Sequence, residues 1–151
     1  MKPIKTILHP TDFSDSYHYA LEVAAVIARD QKARLIVLHV VPMVLPVTGA
    51  GDVSALERAE RYQQDLKSYQ AEMKERLQQL KIPDCQVSVA RHWKEGEVAP
   101  VILRTAQETP CDLIVLGTHG QTGRMQRLMG SVAEEVSRSA TCPVLTVRLP
   151  Q

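Results

Sequence analysis

The sequence predicts an α/β fold, with one domain over residues 1–151 that contains an open sheet of five parallel strands between two layers of helices. Short apolar runs alternate with longer amphipathic segments, which is the pattern of βαβ units. Two of the runs, RLIVLHVV and DLIVLG, are almost continuously apolar, as strands covered on both faces are. A chain of 151 residues is long enough to bury one hydrophobic core.

Five segments are predicted as strands, near residues 4–9, 34–41, 85–91, 112–117 and 143–149. The second and fourth contain the two apolar runs and are expected to be central or near central. The third, CQVSVAR, alternates apolar Cys85, Val87 and Val89 with polar residues, which predicts a more exposed strand at an edge. Right-handed crossovers that leave the third strand at an edge give the strand order 3-2-1-4-5.

Four helices are predicted between these strands, over about 14–31, 54–81, 97–108 and from residue 131. Ser14 is expected to cap the first helix, and capping boxes are predicted from Ser54 to Glu57 and from Ser131 to Glu134. The second helix carries a stripe expected to face the core. That stripe comprises Ala59, Tyr62, Leu66, Tyr69, Met73, Leu77 and Leu80.

The composition narrows the class of protein. Eighteen basic and seventeen acidic residues give no electrostatic footprint for nucleic acid and no polybasic tail for a membrane surface. No apolar run is long enough for a signal peptide core or a membrane span. The three cysteines are far apart and form no CxxC pair, which argues against a disulfide framework and a zinc site. We therefore expect a cytoplasmic protein.

Glycine is concentrated in one segment, GTHGQTGRMQRLMGS, which holds four of the seven glycines in the chain. Ligands of parallel sheets bind at the carboxyl ends of the strands where the winding reverses, which the predicted order places between the first and fourth strands. The sequences that leave those strands are HPTD, which ends at Asp12, and GTHG, which begins at Gly117. We expect Asp12 and the glycine segment to face each other there.

The glycine spacing favours an anion site. Gly117 and Gly120 leave a buried strand, so that backbone N–H groups can approach a phosphate, and Gly130 precedes a helix whose first N–H groups are unpaired. Arg124 and Arg127 lie between these ends, where either could add positive charge. The chain contains no GxxxxGK[ST] phosphate loop and no GxGxxG dinucleotide fingerprint after the first strand.

Three histidines and a tryptophan lie near the ends of the predicted strands. His9 and His39 end apolar strands and are predicted to be hydrogen-bonded structural residues. His119 can be read equally as a ligand contact or as a loop residue. Trp93 is placed after the third strand, where packing is favoured over contact with a ligand.

The glycine pattern G-x2-G-x9-G-[ST] at Gly117, Gly120, Gly130 and Ser131, with PTDFS after the first strand and CPVLTVR near the end, resembles the universal stress protein family. The resemblance runs the length of the chain in order. It implies a Rossmann-like domain of the adenine nucleotide alpha hydrolase-like type, whose ATP-binding members hold adenosine phosphates at this crevice.

The resemblance also implies a role for each matching residue. Asp12 would accept hydrogen bonds from ribose hydroxyls, in a turn shaped by Pro10 and Thr11, and Val40 would meet the adenine through its backbone. The phosphates would lie along the glycine segment and end at the helix N-terminus. The residues implied there are Gly117, His119 and Gly120 along the phosphates, Gly130, Ser131 and Val132 at their far end, and Arg127 in the loop between. Thr118 and Gln121 stand where serine and a basic residue are frequent in the family.

We expect an ATP-binding regulatory or stress-response protein that uses the nucleotide as a switch ligand, with Mg²⁺ entering on the triphosphate. We expect no enzyme activity beyond slow ATP hydrolysis. A homodimer through the last strand, Pro143 to Leu149, and a regulatory protein partner are also expected. Two alternatives stay open, namely an adenylate-transfer enzyme on the same fold and a dimeric interaction module that has lost nucleotide binding.

Overall fold

The computed structural model describes residues 2–43, 51–83, 86–119 and 129–151. Strands and helices alternate along these residues as the sequence predicts. The elements are β1 (Thr6–Pro10), α1 (Asp15–Gln31), β2 (Arg34–Val41), α2 (Val53–Gln79), β3 (Val89–Glu95), α3 (Val98–Glu108), β4 (Leu113–Gly117), α4 (Ser131–Ser139) and β5 (Val144–Val147).

The five strands form one parallel sheet in the order β3-β2-β1-β4-β5, which confirms the predicted order. β2 and β4 each lie between two other strands, and their side chains are almost completely buried. The carboxylate of Asp112 anchors one end of the sheet, since it accepts hydrogen bonds from the backbone N–H groups of Lys5 and Thr6 at 2.9 and 3.0 Å.

A hydrophobic cluster covers each face of the sheet, so the domain has the three layers that the sequence predicts. Alternate residues of β2 point to opposite faces. Leu35 and Val37 pack with α1 and the end of α2, and we call this group the α1/α2 cluster. Leu38 and Val40 pack with α3 and α4, in what we call the α3/α4 cluster.

The third strand lies at an edge as predicted, but it runs over Val89–Glu95 and not over residues 85–91. Its pairing with β2 begins at Val89 opposite Leu35 and continues to Glu95 opposite Val41. The sequence ARHWKE within it has no apolar alternation because most side chains of this edge strand are only half-buried. Trp93 therefore lies inside the strand, whereas we had expected it to come after the strand.

The apolar stripe predicted along α2 is buried only at its end. Met73 and Leu77 are buried, whereas Tyr62 is 69% and Tyr69 is 42% exposed. A helix of 27 residues is about 40 Å long, and a strand of eight residues covers about 26 Å. The helix is thus longer than the sheet it packs against, and the prediction of a core-facing stripe was wrong for the first half.

The predicted helix caps are also corrected. α2 is capped by Asp52, whose Oδ1 accepts the N–H of Ala55 at 2.7 Å, so the capping box at Ser54 is not formed. α4 has Gly130 at its N-cap, which makes Ser131 the first helical residue and removes the second capping box. Ser14 does occupy the N-cap of α1, but its side chain makes no capping hydrogen bond.

Candidate functional site

The winding of the sheet reverses between β1 and β4. These strands are neighbours at the centre, and the chain continues from β1 toward β2 on one side and from β4 toward β5 on the other. Pro10 ends β1 and Gly117 ends β4, both at the carboxyl edge. A crevice at this edge is where open α/β sheets bind ligands.

A compact turn leads from β1 into α1. The N–H of Thr11 donates to the carbonyl of Leu38 at 2.8 Å, and the side-chain hydroxyl of Thr11 accepts the N–H of Phe13 at 3.1 Å. The carboxylate of Asp12 accepts the N–H of Ser14 at 2.9 Å. Thr11 and Asp12 therefore shape this turn through their side chains, and Asp12 lies half-buried at the carboxyl edge.

Gly117 lies against the first turn of α1. A Cβ atom at this position would lie 2.5 Å from Ser16 Oγ and 2.8 Å from the Ser16 carbonyl carbon. Two residues later, the N–H of His119 donates to Ser16 Oγ at 3.5 Å, while Nδ1 of His119 lies 2.9 Å from the hydroxyl of Thr118. The first turn of α1 thus connects the turn after β1 to the end of β4.

The N-terminus of α4 meets the end of β4. The N–H of Gly130 donates to the carbonyl of Thr118, which joins the two ends of the glycine-rich segment. Gly130 is the N-cap and has no side chain to occupy the first N–H groups of the helix. Backbone N–H groups at such a terminus, with the positive end of the helix dipole, are suited to bind an anion.

Apolar contacts connect this terminus to β2. Val40 is buried in the α3/α4 cluster, and Met129 and Val132 pack against the same cluster from the start of α4. Trp93 lies on the opposite face, where it packs with the α1/α2 cluster and with the ring of His39. Packing is thus the role that the structure gives to Trp93.

The predicted site residues within the described ranges lie at one edge of the sheet, in three groups. Gly120 and Arg127 lie outside the described residues, as do Arg124 and Gln121. The three groups are Pro10, Thr11 and Asp12 after β1, Val40 in β2, and Gly117, His119, Gly130, Ser131 and Val132 around the end of β4 and the start of α4.

Sequence reasoning missed Ser16, and it expected Tyr17 on the apolar face of α1 but not beside Asp12. Ser16 is buried against Gly117 and accepts the N–H of His119. Tyr17 is buried in the α3/α4 cluster, where burial and the nearby Asp12 raise the pKa of its hydroxyl. A serine in the first turn of a helix carries no signal of this contact, because the contact depends on how α1 crosses β4.

The two strand-end histidines are hydrogen-bonded structural residues, as predicted. Nδ1 of His9 lies 2.9 Å from the carbonyl of Val115, and Nδ1 of His39 lies 2.7 Å from the carbonyl of Thr11. Burial lowers the pKa of His9 to about 4 and also lowers the pKa of His39. Both rings are therefore neutral near pH 7.

A cavity of about 470 Å³ lies beside the same turn, but on the α1/α2 side. Of the predicted site residues it includes only Thr11. Its chemistry is different from that of the glycine-rich end, because it offers the charged side chains of Asp15, Arg76 and Lys81 where the glycine-rich end offers backbone N–H groups. The lining residues are Thr11, Phe13, Asp15, His18, Leu21, Arg76, Gln79, Leu80 and Lys81.

The described ranges contain neither a metal-binding cluster nor a membrane-spanning helix. Within residues 2–43, 51–83, 86–119 and 129–151, no group of three or more histidine, cysteine or acidic side chains is placed to hold a metal ion. In the same ranges, no helix combines the length and the apolar character needed to cross a bilayer.

Comparison with known sequences gives a match along nearly the whole chain. The family model described as the universal stress protein family matches residues 3–148. The chain is 35% identical over 151 residues to Universal stress protein MJ0531 of Methanocaldococcus jannaschii, an alignment that covers 97% of this chain and 84% of that relative.

Comparison with solved structures gives the same fold. MJ0577 of Methanocaldococcus jannaschii superposes with a TM-score of 0.79 at 27% identity and covers 99% of both chains. A universal stress protein solved in complex with cAMP superposes with a TM-score of 0.64 at 23% identity, covering 99% of this chain and 100% of that one. This second likeness concerns the fold alone.

Proposed function

Since the chain belongs to the universal stress protein family, we propose that it binds ATP at the carboxyl edge of its sheet and uses the nucleotide as a regulatory ligand. One observation carries the proposal. The hydrogen bond from Gly130 to Thr118 brings the N-terminus of α4 against the end of β4, at the point where the winding of the sheet reverses. A helix terminus at that point favours the phosphates of a nucleotide.

The phosphates are proposed to lie along the glycine-rich segment and to end at Gly130, Ser131 and Val132. The N–H groups of Ser131 and Val132 would receive them, since the N–H of Gly130 donates to the carbonyl of Thr118. Gly130 supports this role because, as an N-cap without a side chain, it leaves the N–H groups of the first turn to a ligand. Gly117, His119, Gly120 and Arg127 are proposed to line the phosphates. Mg²⁺ would enter with them, held mainly by phosphate oxygens and water.

The nucleoside is proposed to lie between the turn after β1 and the end of β2. Asp12 is half-buried at this edge, and a carboxylate accepts hydrogen bonds from ribose hydroxyls. Pro10 and Thr11 fix the turn that presents it, and the backbone of Val40 is proposed to meet the adenine. Val132 supports the proximity of the two halves of the site, since it packs against the cluster that contains Val40.

We place the protein in the cytoplasm and expect it to act through a protein partner. The chemistry of the cysteines supports a reducing compartment. Cys111 and Cys142 are free thiols, and unpaired cysteines are typical of reducing compartments.

Asp12→Asn tests the proposal by calorimetric titration with ATP and with 2′,3′-dideoxy-ATP. The wild type is expected to bind ATP saturably with one nucleotide per chain, and more weakly when the ribose hydroxyls are missing. The substitution keeps the oxygen that accepts from Ser14 but removes the charge. It should weaken ATP binding about tenfold, because hydrogen bonds to charged groups are the stronger ones, and should reduce the discrimination between the two ligands.

Asp15→Asn is the matched control. Asp15 is exposed in the first turn of α1, and the substitution removes the same charge three residues away from Asp12. It should bind ATP as the wild type does. Equal loss in both variants would contradict a contact between Asp12 and the ribose. A wild type that binds none of ATP, ADP, AMP or cAMP would contradict the function, and adenylylated products would favour the adenylate-transfer alternative.

We also propose that the protein is a homodimer paired through its last strand. β5 pairs only with β4 within the described chain, and it leaves Leu145 37% and Leu149 41% exposed. An open sheet edge with apolar side chains favours pairing with a second copy. The proposed contact covers Pro143 to Leu149.

A further inference from the structure

His39 lies at the end of β2, next to the turn that carries Asp12, with only 4% of its surface exposed. Its Nδ1 atom lies 2.7 Å from the carbonyl oxygen of Thr11. A carbonyl oxygen can only accept a hydrogen bond, so Nδ1 of the neutral ring carries the proton and donates it. The other ring nitrogen, Nε2, is buried and has no hydrogen-bond partner among the described residues.

This hydrogen bond completes the attachment of Thr11 to β2. The N–H of Thr11 donates to the carbonyl of Leu38 at 2.8 Å, and its carbonyl accepts from His39. Both polar backbone groups of Thr11 are therefore satisfied by two successive residues of β2. Asp12 follows directly, so its position at the crevice depends on this attachment.

The next residue of the turn, Phe13, also depends on His39. Phe13 has a φ of 63°, a left-handed conformation that bulky residues rarely adopt. Its ring lies 4.7 Å from the ring of His39, and the guanidinium of Arg76 lies 4.6 Å from its centroid. On the neighbouring strand β3, the ring centroid of Trp93 lies 5.6 Å from that of His39. The four side chains form a continuous series of contacts from β3 to α2, with the rings tilted against one another.

The protonation of the His39 imidazole agrees with its hydrogen bond to Thr11. Burial lowers the pKa of His39, an effect that Arg76 adds to and that the Thr11 carbonyl and Asp12 oppose. A neutral ring keeps the donor at Nδ1 and leaves Nε2 without a proton in its buried surroundings. The hydrogen bond to the Thr11 carbonyl therefore selects the tautomer that carries the proton on Nδ1.

From these contacts we infer that His39 is a positioning residue, which fixes the turn from Thr11 to Ser14 and so presents the Asp12 carboxylate to the ligand without touching the ligand itself. Its effect on nucleotide affinity rests on the proposed function. Its effect on the order of the turn rests on the contacts alone and can be measured without a nucleotide.

Hydrogen exchange in the unliganded protein tests the effect on the turn. His39→Leu fills the buried space but removes the donor, whereas the amide of His39→Asn can place an N–H near the position of Nδ1. We expect the amides of residues 11–14 to exchange about fivefold faster in His39→Leu, as the loss of one hydrogen bond implies, and at nearly the wild-type rate in His39→Asn. His92→Leu, at a half-buried histidine of β3, is the control and should leave this exchange unchanged.

Nuclear magnetic resonance of the wild type tests the same inference without a substitution, and it decides the matter if His39→Leu fails to fold. The imidazole should give a slowly exchanging proton on Nδ1 near pH 7. A proton on Nε2 would overturn the inference, and so would exchange rates at residues 11–14 that are equal in wild type and His39→Leu.

ATP titration of the same proteins tests the effect on the site. Affinity should fall about fivefold in His39→Leu and recover in His39→Asn. Faster exchange with unchanged ATP affinity would overturn the role of His39 in presenting Asp12. A wild type that does not bind ATP would contradict the proposed function, while the exchange and resonance results would still decide whether His39 holds the turn.

Discussion

Gly117 is fixed by packing between α1 and β4. Its missing side chain leaves room for the backbone of Ser16, whose carbonyl carbon and oxygen would lie 2.8 and 2.9 Å from a Cβ atom. Sequence reasoning attributed this glycine to the approach of a phosphate. The contact with α1 is sufficient by itself to require glycine, so Gly117 does not distinguish a nucleotide-binding member from one that has lost its ligand.

Gly117→Ala should destabilise the protein with or without a nucleotide. The added methyl group would collide with backbone atoms, which cannot move aside as a side chain can, and we expect a loss of about 1–3 kcal/mol in the free energy of unfolding. Urea unfolding followed by circular dichroism measures this loss.

Gly51→Ala is the control for that experiment. A Cβ atom at Gly51 would lie 3.2 Å from the Cβ of Ala55, in an exposed position before α2. This substitution should change the free energy of unfolding by much less. Equal stability of Gly117→Ala and the wild type would show that α1 does not approach β4 as closely as described.

Among the elements, the helices and strands with steady patterns were predicted best. β2 and β4 were predicted closely because both faces are covered and their sequences are almost wholly apolar. The prediction for β3 was displaced because the observed strand continues through Lys94 and Glu95, polar residues that an apolar pattern does not include. Polar side chains of this half-buried edge strand are satisfied by hydrogen bonds, as when the guanidinium of Arg91 donates to the carbonyl of Leu80 at 2.7 Å.

The N-caps of α2 and α4 were also predicted at the wrong residues. SALE and SVAE both fit the capping-box pattern, yet the caps are Asp52 and Gly130. A cap depends on where the preceding chain turns, and in α4 that position is set by the hydrogen bond from Gly130 to Thr118. The contact of Ser16 with Gly117 could not be predicted for the same reason, since it requires the crossing of two elements.

β5 is the element on which the proposed dimer depends. The carbonyls of Pro143 and Val147 accept from β4, so the alternate residue Thr146 presents its backbone to the open edge. Thr146→Pro removes an edge N–H without removing a bond to β4, and proline is tolerated at such an edge. We expect a shift from dimer to monomer in sedimentation at micromolar protein concentration.

Thr146→Val provides the matched control, because it changes the side chain but keeps the N–H. It should remain dimeric. A wild type that sediments as a monomer at every concentration, or a Thr146→Pro variant that dimerises as well as the wild type, would contradict pairing through β5.

For the whole molecule, the strand order followed from few observations. An edge position for the third strand and right-handed crossovers were sufficient to give the order that the structure has. That order also predicted which strand ends would meet, and therefore where Asp12 and Gly117 lie. The residues between Gly120 and Leu128 are outside the described ranges, so the proposed contact of Arg127 with phosphate remains a prediction.

The stability of the whole fold should depend on pH through His9. Burial lowers the pKa of His9 in the folded chain to about 4, from an ordinary value of 6.5. Between these pH values the unfolded chain binds the proton on His9 and the folded chain does not. The contribution of neutral His9 to the free energy of unfolding is therefore complete above about pH 6.5. It is lost as the pH falls toward 4, by about 3 kcal/mol in total.

Urea unfolding at several pH values between 4 and 7.5 measures this dependence. His9→Asn keeps a donor for the carbonyl of Val115 and removes the titrating group, so its unfolding free energy should vary less with pH. A variant with the same pH slope as the wild type would mean that other groups cause the acid sensitivity.

The location of the phosphates tests the proposed nucleotide site most directly. We propose a crystal structure of the protein grown with a non-hydrolysable ATP analogue. We expect phosphate oxygens within about 3 Å of the N–H groups of Ser131 and Val132, with the ribose at Asp12. Phosphates bound instead against Arg76 and Lys81, in the cavity on the α1/α2 side, would contradict the proposed site.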